Sequence, residues 1–322
     1  MSFSRKVKEE LVLQTGNGRH CLIAEFAAIF ALTGKIRKDR YGDIYLEIRT
    51  ENLTVARKSY ILIGYAFCVK ADIRVQNHNI RANSTNYCLI IKGNRDVLTV
   101  LKAIKVVDDT GKLWGAYDKV HQLLVQNTCC KRAYLRGAFL VAGSITNPQK
   151  AYHLEIATAS EEYARSLQKL MQSFSMDAKI VLRKKYFVLY IKEGTQIVDF
   201  LNVIEAHIAL MDFENVRILK EVRNSVNRQV NCETANINKT VTAAAKQIED
   251  IQYLQEHMGF SQLADGLKEI AELRLEYPDS SLVELGKMLS KPIGKSGVNH
   301  RLRKISEFAE QLREKNGFVA AK

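Results

Sequence analysis

The sequence predicts an α+β protein in which a domain built from two similar halves precedes a small all-helical domain. Three observations lead to this prediction. Residues 1–222 contain one pattern twice, with the earlier elements of the two copies at an offset of 108 to 109 residues. Each copy alternates helical and β-rich segments, whereas residues 266–322 show helical periodicity alone. A chain of 322 residues, 47% of them apolar, is long enough for roughly two or three domains.

Each copy of the repeat opens with a helix that is rich in small residues. "FAAIFALTGK" in the first copy corresponds to "LRGAFLVAGS" in the second, with Gly34 matching Gly143 at an offset of 109. Small side chains such as Ala28 and Gly137 allow two helix backbones to approach closely. We therefore expect these two helices to pack against each other as the interface of a pseudo-two-fold domain.

The later elements of the two copies also correspond. After a few turn-like residues come the strands "IYLEIRT" and "YHLEIAT", in which Glu47 matches Glu155 at an offset of 108. A helix follows each strand, and then the β-rich segments "YCLIIKG" and "FVLYIKEG". A helical run closes each copy, with apolar residues at Val97, Leu98, Leu101 and Ile104 and at Ile197, Val198, Leu201 and Ile204. Each half therefore reads helix, strands, helix, strands, helix.

The C-terminal pattern is that of a helix-turn-helix domain. A helix with Leu267, Ile270 and Ala271 on one face is stopped by Pro278. The next helix, "SSLVELGKML", starts with the capping-box spacing of Ser281 and Glu284. The turn "SKPIGK" leads to a second, longer helix, which begins at "SGVNHRLRKISEFAEQL". Its predicted apolar face comprises Val298, Leu302, Ile305, Ala309 and Leu312.

The polar face of this second helix predicts DNA binding. Five basic residues and no acidic residue occur between Lys291 and Lys304. Asn and Arg side chains make bidentate contacts with adenine and guanine edges in the major groove, and a helix N-terminus can meet phosphate. The alternative is a solvated basic face on a small helical bundle. Ser296, Asn299, His300, Arg301 and Arg303 are expected to point away from the apolar face. The predicted DNA-binding residues are Lys291, Lys295, Ser296, Asn299, His300, Arg301, Arg303 and Lys304.

The segment between the two domains is predicted to be a linker with a connecting helix. From about Glu233 the apolar residues Ile237, Val241, Ala244, Ile248 and Ile251 follow a heptad-like spacing. A second DNA contact through Arg223 and Arg228 is the less favoured alternative for this segment. The predicted domains are 1–222, with halves of about 1–110 and 111–222, the linker 223–265, and the helix-turn-helix domain 266–322.

Charge and cysteine usage limit the classes of partner and cofactor. The net charge of +13 and the isoelectric point near 9.4 favour double-stranded DNA as partner and argue less strongly for an anionic membrane. The apolar runs are too short for a membrane span, and the N-terminal segment does not resemble a signal peptide. The six cysteines form no CxxC motif, and no histidine pair has ligand spacing. We therefore expect reduced, mostly buried thiols in a cytoplasmic protein. A redox pair of Cys129 and Cys130 is the less favoured alternative. We expect no metal site, cofactor or small-molecule substrate.

Two resemblances follow from these motifs. The glycine-ended helices and the repeat resemble the LAGLIDADG homing endonucleases, which implies two αββαββα halves whose sheets form a saddle over DNA. The resemblance also implies that each motif helix would carry a metal-binding carboxylate, at the positions that Thr33 and Ala142 occupy here. Neither side chain can replace a carboxylate as a ligand for Mg²⁺. A catalytic site is therefore not expected.

The whole chain also resembles the bacterial WhiA family. The resemblance rests on the degenerate repeat together with "NRQVNCETANINKTV", "ELRLEYPDSSLVELGKML" and "KSGVNHRLRKI". It implies a non-enzymatic, nucleoid-associated DNA-binding regulator linked to sporulation in actinobacteria, and to cell division and chromosome segregation in other Gram-positive lineages. A protein partner for the LAGLIDADG-like domain is a further expectation. Two alternatives remain: an active LAGLIDADG-type endonuclease, and a protein-interaction platform with incidental DNA affinity.

Overall fold

The computed structural model describes residues 2–14, 16, 18–78, 84–112 and 119–320, without the side chains of residues 77, 78, 84 and 316–320. The chain forms two compact units, Met1–Glu221 and Val222–Lys322. The first unit is mixed helix and sheet, and the second contains only helices among its described residues. The predicted fold class, α+β followed by an all-helical domain, is confirmed.

The first unit contains the order αββαββα twice. Its first half comprises α2 (Arg19–Thr33), β1 (Gly34–Lys38), β2 (Ile44–Thr50), α3 (Leu53–Phe67), β3 (Asp72–His78), β4 (Ser84–Ile91) and α4 (Asn94–Ala103). A short 3₁₀ helix, Gln122–Val125, precedes the second half. That half comprises α5 (Thr128–Ala142), β5 (Gly143–Ile145), β6 (Leu154–Thr158), α6 (Glu161–Gln172), β7 (Lys179–Arg183), β8 (Tyr186–Ile191) and α7 (Gly194–Val203). An initial helix that the sequence did not lead us to expect, α1 (Phe3–Leu13), precedes both halves.

Each half contains one antiparallel four-stranded sheet, and the two sheets have equivalent strand orders. The orders are β1-β2-β4-β3 and β5-β6-β8-β7. Leu46 pairs with Ile91 in the first sheet, as Leu154 pairs with Ile191 in the second. All four of these side chains are buried, because the alternation of a strand turns every second residue towards the helices.

The strand that follows each motif helix begins directly at the glycine. We expected a few turn-like residues there, but Gly34 and Gly143 are already the first residues of β1 and β5. Neither glycine has a positive φ; the reason for glycine is steric. A Cβ at Gly34 would overlap the ring of Phe30, and one at Gly143 would overlap the ring of Phe139. The same ring-on-glycine packing therefore ends both motif helices.

The two motif helices, α2 and α5, pack against each other at the centre of the first unit, as the repeat predicted. Gly137 lies at a close approach of the two backbones, because a Cβ at this position would overlap the carbonyl oxygen of Glu25. Ala28 and Ala138 are fully buried in the same core. Because Ala28, Gly137 and Ala138 are small, the two helix backbones can approach closely at these positions.

The second unit is a small helical bundle. Its helices are α9 (Asp265–Glu276), α10 (Leu282–Met288) and α11 (Lys295–Ala320), with a 3₁₀ helix at Phe260–Gln262. Its core also contains Ile251 and Leu254, which are both fully buried. These two residues belong to α8 (His207–His257), so the packed core extends upstream of the predicted domain start at residue 266.

Helix α8 is much longer than the connecting helix that the sequence predicts. It spans 51 residues and begins at His207, whereas we expected helical structure only from about Glu233. Of the predicted heptad-like seam, Ile237 and Val241 are exposed, and only its end at Ile251 is fully buried. Among the described residues, no helix is both long enough and apolar enough to cross a membrane.

Candidate functional site

The candidate site is the helix-turn-helix of the second unit, and its first helix is capped as predicted. The Ser281 hydroxyl accepts from the amide of Glu284 at 3.3 Å, and the Glu284 carboxylate accepts from the amide of Ser281 at 2.8 Å. These bonds satisfy two backbone donors at the start of α10. They also lower the pKa of Glu284 below its ordinary value. The cap fixes where α10 begins and hence which face it buries.

The turn between α10 and α11 is held closely against the bundle. A Cβ at Gly286 would overlap the carbonyl oxygen of Ile293. In the other direction, the amide of Ile293 donates to the carbonyl oxygen of Gly286 at 3.0 Å. The Glu269 carboxylate on α9 accepts from the amide of Ser290 at 2.5 Å and from its hydroxyl at 3.2 Å. These contacts set the position at which α11 leaves the turn.

Helix α11 has the apolar face that the sequence predicts. Val298, Leu302, Ile305 and Ala309 are buried in the core of the second unit, and Leu312 packs against that core. The opposite surface of its first three turns is polar. Lys295, Ser296, Asn299, His300, Arg303 and Lys304 are all exposed there. Because residues three and four apart lie on one side of a helix, these six side chains form one surface, which we call the α11 polar face.

Arg301 departs from the expected arrangement. Its side chain is half-buried, and its guanidinium donates to the carbonyl oxygen of Gly266 in the first turn of α9 at 3.1 Å. It therefore links two helices of the bundle instead of pointing freely to solvent with Arg303. The sequence pattern did not indicate this bond, because position 301 borders the apolar face, where a neighbouring helix is close enough to accept a hydrogen bond.

The remaining predicted site residues are accessible. Lys291 is exposed in the turn, and Arg303 forms an exposed ion pair with Glu307 at 3.3 Å. Such surface pairs contribute little energy, so Arg303 can exchange this partner for another anion at low cost. Arg223 and Arg228 are exposed along the middle of α8. No described contact joins these two to the α11 polar face.

The ends of the motif helices hold no pair of carboxylates at the family's metal-binding positions. The Thr33 hydroxyl donates to the carbonyl oxygen of Ile29 at 2.7 Å, back onto its own helix. Ala142 is half-buried and offers only a methyl group. Lys8 of α1 places its ammonium 5.8 Å from the ring centroid of Phe139, one turn before Ala142. Burial lowers the pKa of this lysine to about 8.

A buried ionic network between the motif helices was missed by sequence reasoning. Glu25 on α2 is fully buried and lies 3.1 Å from both the Lys58 ammonium and the Arg136 guanidinium. Arg136 also contacts the partly exposed Glu205 at 2.5 Å. Burial lowers the pKa of Lys58, an effect that the charge of Glu25 only partly offsets. The available signal was a charged residue within the apolar stretch of each motif helix, Glu25 in the first and Arg136 in the second.

Sequence reasoning also missed a cluster of potential metal ligands. His20, Cys21, Cys129 and Cys130 have ligand atoms that all lie within 4.8 Å of one another. Burial and the neighbouring thiols raise the pKa of Cys21 to about 12. The expectation of mostly buried thiols is wrong for half of the cysteines: Cys21, Cys88 and Cys130 are buried, whereas Cys68, Cys129 and Cys232 are exposed.

Comparison with curated proteins decides the family. A protein of Lachnoclostridium phytofermentans is 53% identical over 98% of this chain and its own full length. A protein of Alkaliphilus metalliredigens is 45% identical, also over 98% of this chain and its own full length. Both carry the name probable cell division protein WhiA. This chain belongs to the WhiA family.

Family models and a solved structure agree with this membership. The WhiA N-terminal LAGLIDADG-like domain matches residues 19–107, the WhiA LAGLIDADG-like domain matches 131–223, and the WhiA C-terminal HTH domain matches 226–309. The crystal structure of full-length DUF199/WhiA from Thermatoga maritima is 26% identical and has a TM-score of 0.59, covering 97% of this chain and 99% of the other. The predicted resemblance to the WhiA family is confirmed.

The WhiA family models cover both the α11 polar face and the ends of the motif helices. The C-terminal HTH model includes α9, α10 and the first half of α11, and hence the whole α11 polar face. The two LAGLIDADG-like models contain α2 with Thr33 and, from residue 131 onward, α5 with Ala142. The chain therefore has a WhiA helix-turn-helix together with LAGLIDADG-like halves in which the positions of the metal-binding carboxylates hold a hydroxyl and a methyl group.

Proposed function

We propose that this chain is a non-enzymatic, DNA-binding transcriptional regulator whose helix α11 reads the major groove. The observation that carries the proposal is the α11 polar face, which is exposed, contains no acidic residue and is held on a well-packed helix-turn-helix. The second helix of such a motif lies in the major groove with its N-terminal residues at the base edges. The exposed Asn and Arg side chains are in the N-terminal turns.

The side chains of and beside the α11 polar face fall into two groups, those that can read base edges and those that can position the protein on phosphates. We assign Asn299 and Arg303 to base edges, because these side chains form bidentate hydrogen bonds with adenine and guanine. Lys291, Lys295 and Lys304 are assigned to phosphates, which attract ammonium groups regardless of sequence. The N-terminus of α11, with the Ser296 hydroxyl, suits a further phosphate. His300 is exposed beside them, and Arg301 supports the fold of the motif.

The non-enzymatic part of the proposal rests on the ends of the motif helices. LAGLIDADG chemistry needs divalent metals to activate water and stabilise the leaving oxygen. At the two ligand positions the Thr33 hydroxyl is bonded to Ile29 and Ala142 has no ligand atom. The Lys8 ammonium near Phe139 adds a positive charge close to the end of α5, which disfavours a divalent cation there.

A cleavage assay tests this part. The purified full-length chain is incubated with supercoiled plasmid and either Mg²⁺ or Mn²⁺, and the nicked and linear forms are quantified. We expect no cleavage above that in a protein-free sample. Metal-dependent nicking that follows the monomer peak through purification would overturn the proposal in favour of an active endonuclease.

We further propose that the repeat domain lies off the DNA and serves packing and a protein partner. Loss of both carboxylates removes the need to hold the scissile phosphates at the motif helices, and the second unit has its own base-reading face. The affinity of a protein for DNA falls with log salt at a slope of about −0.9 per phosphate contact. The basic residues near α11 supply about four or five such contacts by the same reasoning.

The dependence of DNA affinity on salt distinguishes a repeat domain that lies off the DNA from one whose saddle binds DNA. It is measured on the full chain. A variant in which Lys35, Arg37 and Arg74 on the first sheet become Gln is compared with the wild type, and a variant with Lys291, Lys295 and Lys304 changed to Gln is the positive control. We expect the sheet variant to keep the wild-type slope and the control to lose about three contacts. A sheet variant whose slope is shallower by two or three contacts would place the saddle on DNA.

The process we propose is control of cell division, with chromosome segregation or sporulation as linked outputs. The support is the name of the relatives, probable cell division protein WhiA.

We expect a fluorescent fusion of the chain to co-localise with the nucleoid. Genome-wide immunoprecipitation of the wild type and of Asn299→Ala/Arg303→Ala should give promoter peaks only for the wild type. Equal peaks from the wild type and the variant would show that a surface other than the α11 polar face selects the genomic sites. That result would favour a protein-interaction platform with incidental DNA affinity.

A further inference from the structure

Four side chains with thiol or imidazole groups meet at the N-terminal ends of the motif helices. His20 and Cys21 lie in the first turn of α2, and Cys129 and Cys130 lie in the first turn of α5. The His20 Nδ1 atom is 3.1 Å from Cys130 Sγ, 3.3 Å from Cys21 Sγ and 4.0 Å from Cys129 Sγ. The imidazole nitrogen is therefore close to all three sulfur atoms.

The four residues occupy equivalent positions in the two halves of the repeat. His20 and Cys129 are separated by 109 residues, as are Cys21 and Cys130, and the same offset relates Gly34 to Gly143. Each half therefore contributes one adjacent pair of potential ligands. The cluster lies where α2 and α5 pack together, so that it joins the two halves of the first unit.

We propose that His20, Cys21, Cys129 and Cys130 form a four-coordinate Zn²⁺ site that fastens the two motif helices together. Three sulfur ligands and one imidazole are a standard donor set for structural zinc, with Zn–S distances of about 2.3 Å and Zn–N distances of about 2.0–2.1 Å. In a tetrahedron these lengths place ligand atoms about 3.5–3.8 Å apart. The described atoms, all within 4.8 Å of one another, need only small side-chain movements to reach that geometry.

The donor set selects the class of metal. Mg²⁺ and Ca²⁺ bind through oxygen, and the cluster offers only sulfur and nitrogen. Thiolate and imidazole ligands together favour Zn²⁺ among the common ions. Binding releases the three thiol protons to solvent and requires no oxidant or reductant.

The surroundings also suit a metal site. Cys21 and Cys130 are buried together with Ala24 and Ala133, whereas His20 and Cys129 are exposed, so the cluster has an apolar floor and an open side for metal entry. Burial disfavours the thiolates in the metal-free protein, and a coordinated metal ion displaces the thiol protons as it binds. A Cβ at Gly18 would lie 2.7 Å from His20 Nε2, so glycine allows the imidazole ring to lie against the backbone.

The location argues for a structural role. Helix α2 has 15 residues, so His20 and Thr33 are separated by the length of the helix, about 20 Å at 1.5 Å per residue. The cluster is therefore remote from the positions of the family's catalytic metals. Because each half supplies two ligands, bound Zn²⁺ would resist separation of α2 from α5.

Metal content tests the proposal directly. The full-length chain is produced with added Zn²⁺, passed through a desalting column and analysed by native mass spectrometry and elemental analysis. We expect about one Zn²⁺ per chain, as one four-ligand site requires. Replacement by Co²⁺ should give the sulfur-to-cobalt charge-transfer bands and the intense visible bands of tetrahedral coordination.

Matched variants identify the ligands. Cys129→Ser and His20→Asn change exposed members of the cluster, so the fold should persist, and the bound Zn²⁺ should fall below about a tenth of the wild-type amount. Cys68→Ser and Cys232→Ser change exposed cysteines outside the cluster and should retain the full amount. A chelator should lower the Tm of the wild type and leave that of Cys129→Ser unchanged.

Several results would overturn the proposal. A wild-type chain that stays metal-free and gives no Co²⁺ spectrum would do so, as would equal Zn²⁺ retention by Cys129→Ser and the wild type. Mass spectrometry after rapid thiol alkylation supplies a third test. If it finds a disulfide within the cluster in the protein as isolated from cells, the cluster is a redox pair and the zinc assignment is wrong.

Discussion

The guanidinium of Arg301 donates to the carbonyl oxygen of Gly266 at 3.1 Å, which joins α11 to the first turn of α9. Arg303, two residues further along, is 78% exposed and bound only loosely to Glu307. The two arginines therefore have different roles. Arg301 holds α11 against α9, and Arg303 is exposed on the α11 polar face.

We expect Arg301→Ala to destabilise the protein and Arg303→Ala to leave its stability unchanged. The hydrogen bond to Gly266 is worth about 1 kcal/mol, and its loss also leaves the carbonyl oxygen with one donor fewer. A substitution at the exposed Arg303 should alter the free energy of unfolding by less than about 0.5 kcal/mol. Urea unfolding followed by circular dichroism measures both. Equal stability of the two variants would mean that Arg301 is free in solution and belongs with the DNA-reading residues.

Alanine substitutions at two helix glycines should have opposite effects on stability, because only Gly137 lies at a close contact between helices. Gly137→Ala should destabilise the first unit by about 1–3 kcal/mol, because the added Cβ overlaps the carbonyl oxygen of Glu25. Gly64→Ala, within α3, has open space around its Cβ and should stabilise the protein by about 0.5–1 kcal/mol through helix propensity. Thermal unfolding of both variants gives the comparison. A neutral Gly137→Ala would show that the two helix backbones are further apart than described.

The buried carboxylate of Glu25 should be one of the most sensitive positions of the first unit. Glu25→Gln leaves the ammonium of Lys58 and the guanidinium of Arg136 without their shared buried counter-charge. Removing one partner of a buried ion pair costs about 3–5 kcal/mol.

The exposed pair of Arg5 and Glu9 provides the control for this substitution. Glu9→Gln should cost less than about 1 kcal/mol, because water already solvates both charges. Chemical denaturation of the two variants gives the comparison. If Glu25→Gln costs no more than Glu9→Gln, solvent reaches the network and the contact between α2 and α5 is open.

Glu47 should make the stability of the first unit depend on acidic pH. Burial alone would raise the pKa of this carboxyl, but hydrogen bonds from Arg49 and Cys88 and the charges of Arg49 and Arg37 together lower it below 4.5. The folded protein therefore prefers the carboxylate. The stabilisation is complete above pH 4.5, the ordinary value for Glu, and is lost as the pH falls through the lower folded pKa.

The corresponding substitution is Glu47→Gln, with exposed Glu51→Gln as the charge-matched control. Unfolding free energies measured from pH 6 down to about pH 3 should decline less steeply for Glu47→Gln than for the wild type. The control should retain the wild-type slope. Parallel curves for Glu47→Gln and the wild type would mean that the ion pairs around Glu47 do not persist in solution.

The regular parts of the fold could be predicted because they depend on local periodicity. Val298, Leu302 and Ile305 recur at spacings of four and three, which defines the buried face of α11 without knowledge of its neighbours. The offset between Gly34 and Gly143 likewise gives the repeat directly. The capping box of Ser281 and Glu284 is encoded within four residues and was confirmed.

Features that depend on distant residues were missed. The acceptor of Arg301 is a backbone carbonyl 35 residues away, which no spacing rule identifies. His20 and Cys129 are 109 residues apart, so their cluster has none of the short spacings used to recognise metal sites. The offset of the repeat was the one available signal. The early start of α8 at His207 was hidden because much of the helix is exposed and rich in Asn, a residue of modest helix propensity.

The central claim, that the α11 polar face reads DNA, is tested most directly by sequence discrimination. The full-length wild type is used to select its preferred duplex, and the ratio of its affinities for that duplex and a scrambled one is measured at fixed salt. The same ratio is measured for Asn299→Ala/Arg303→Ala and for a control, Lys179→Ala/Lys184→Ala, which changes exposed lysines of the first unit. Each lost base contact costs about 1–3 kcal/mol of discrimination. We predict that the α11 variant loses most of its preference while the control retains it, and an undiminished preference in the α11 variant would contradict the account.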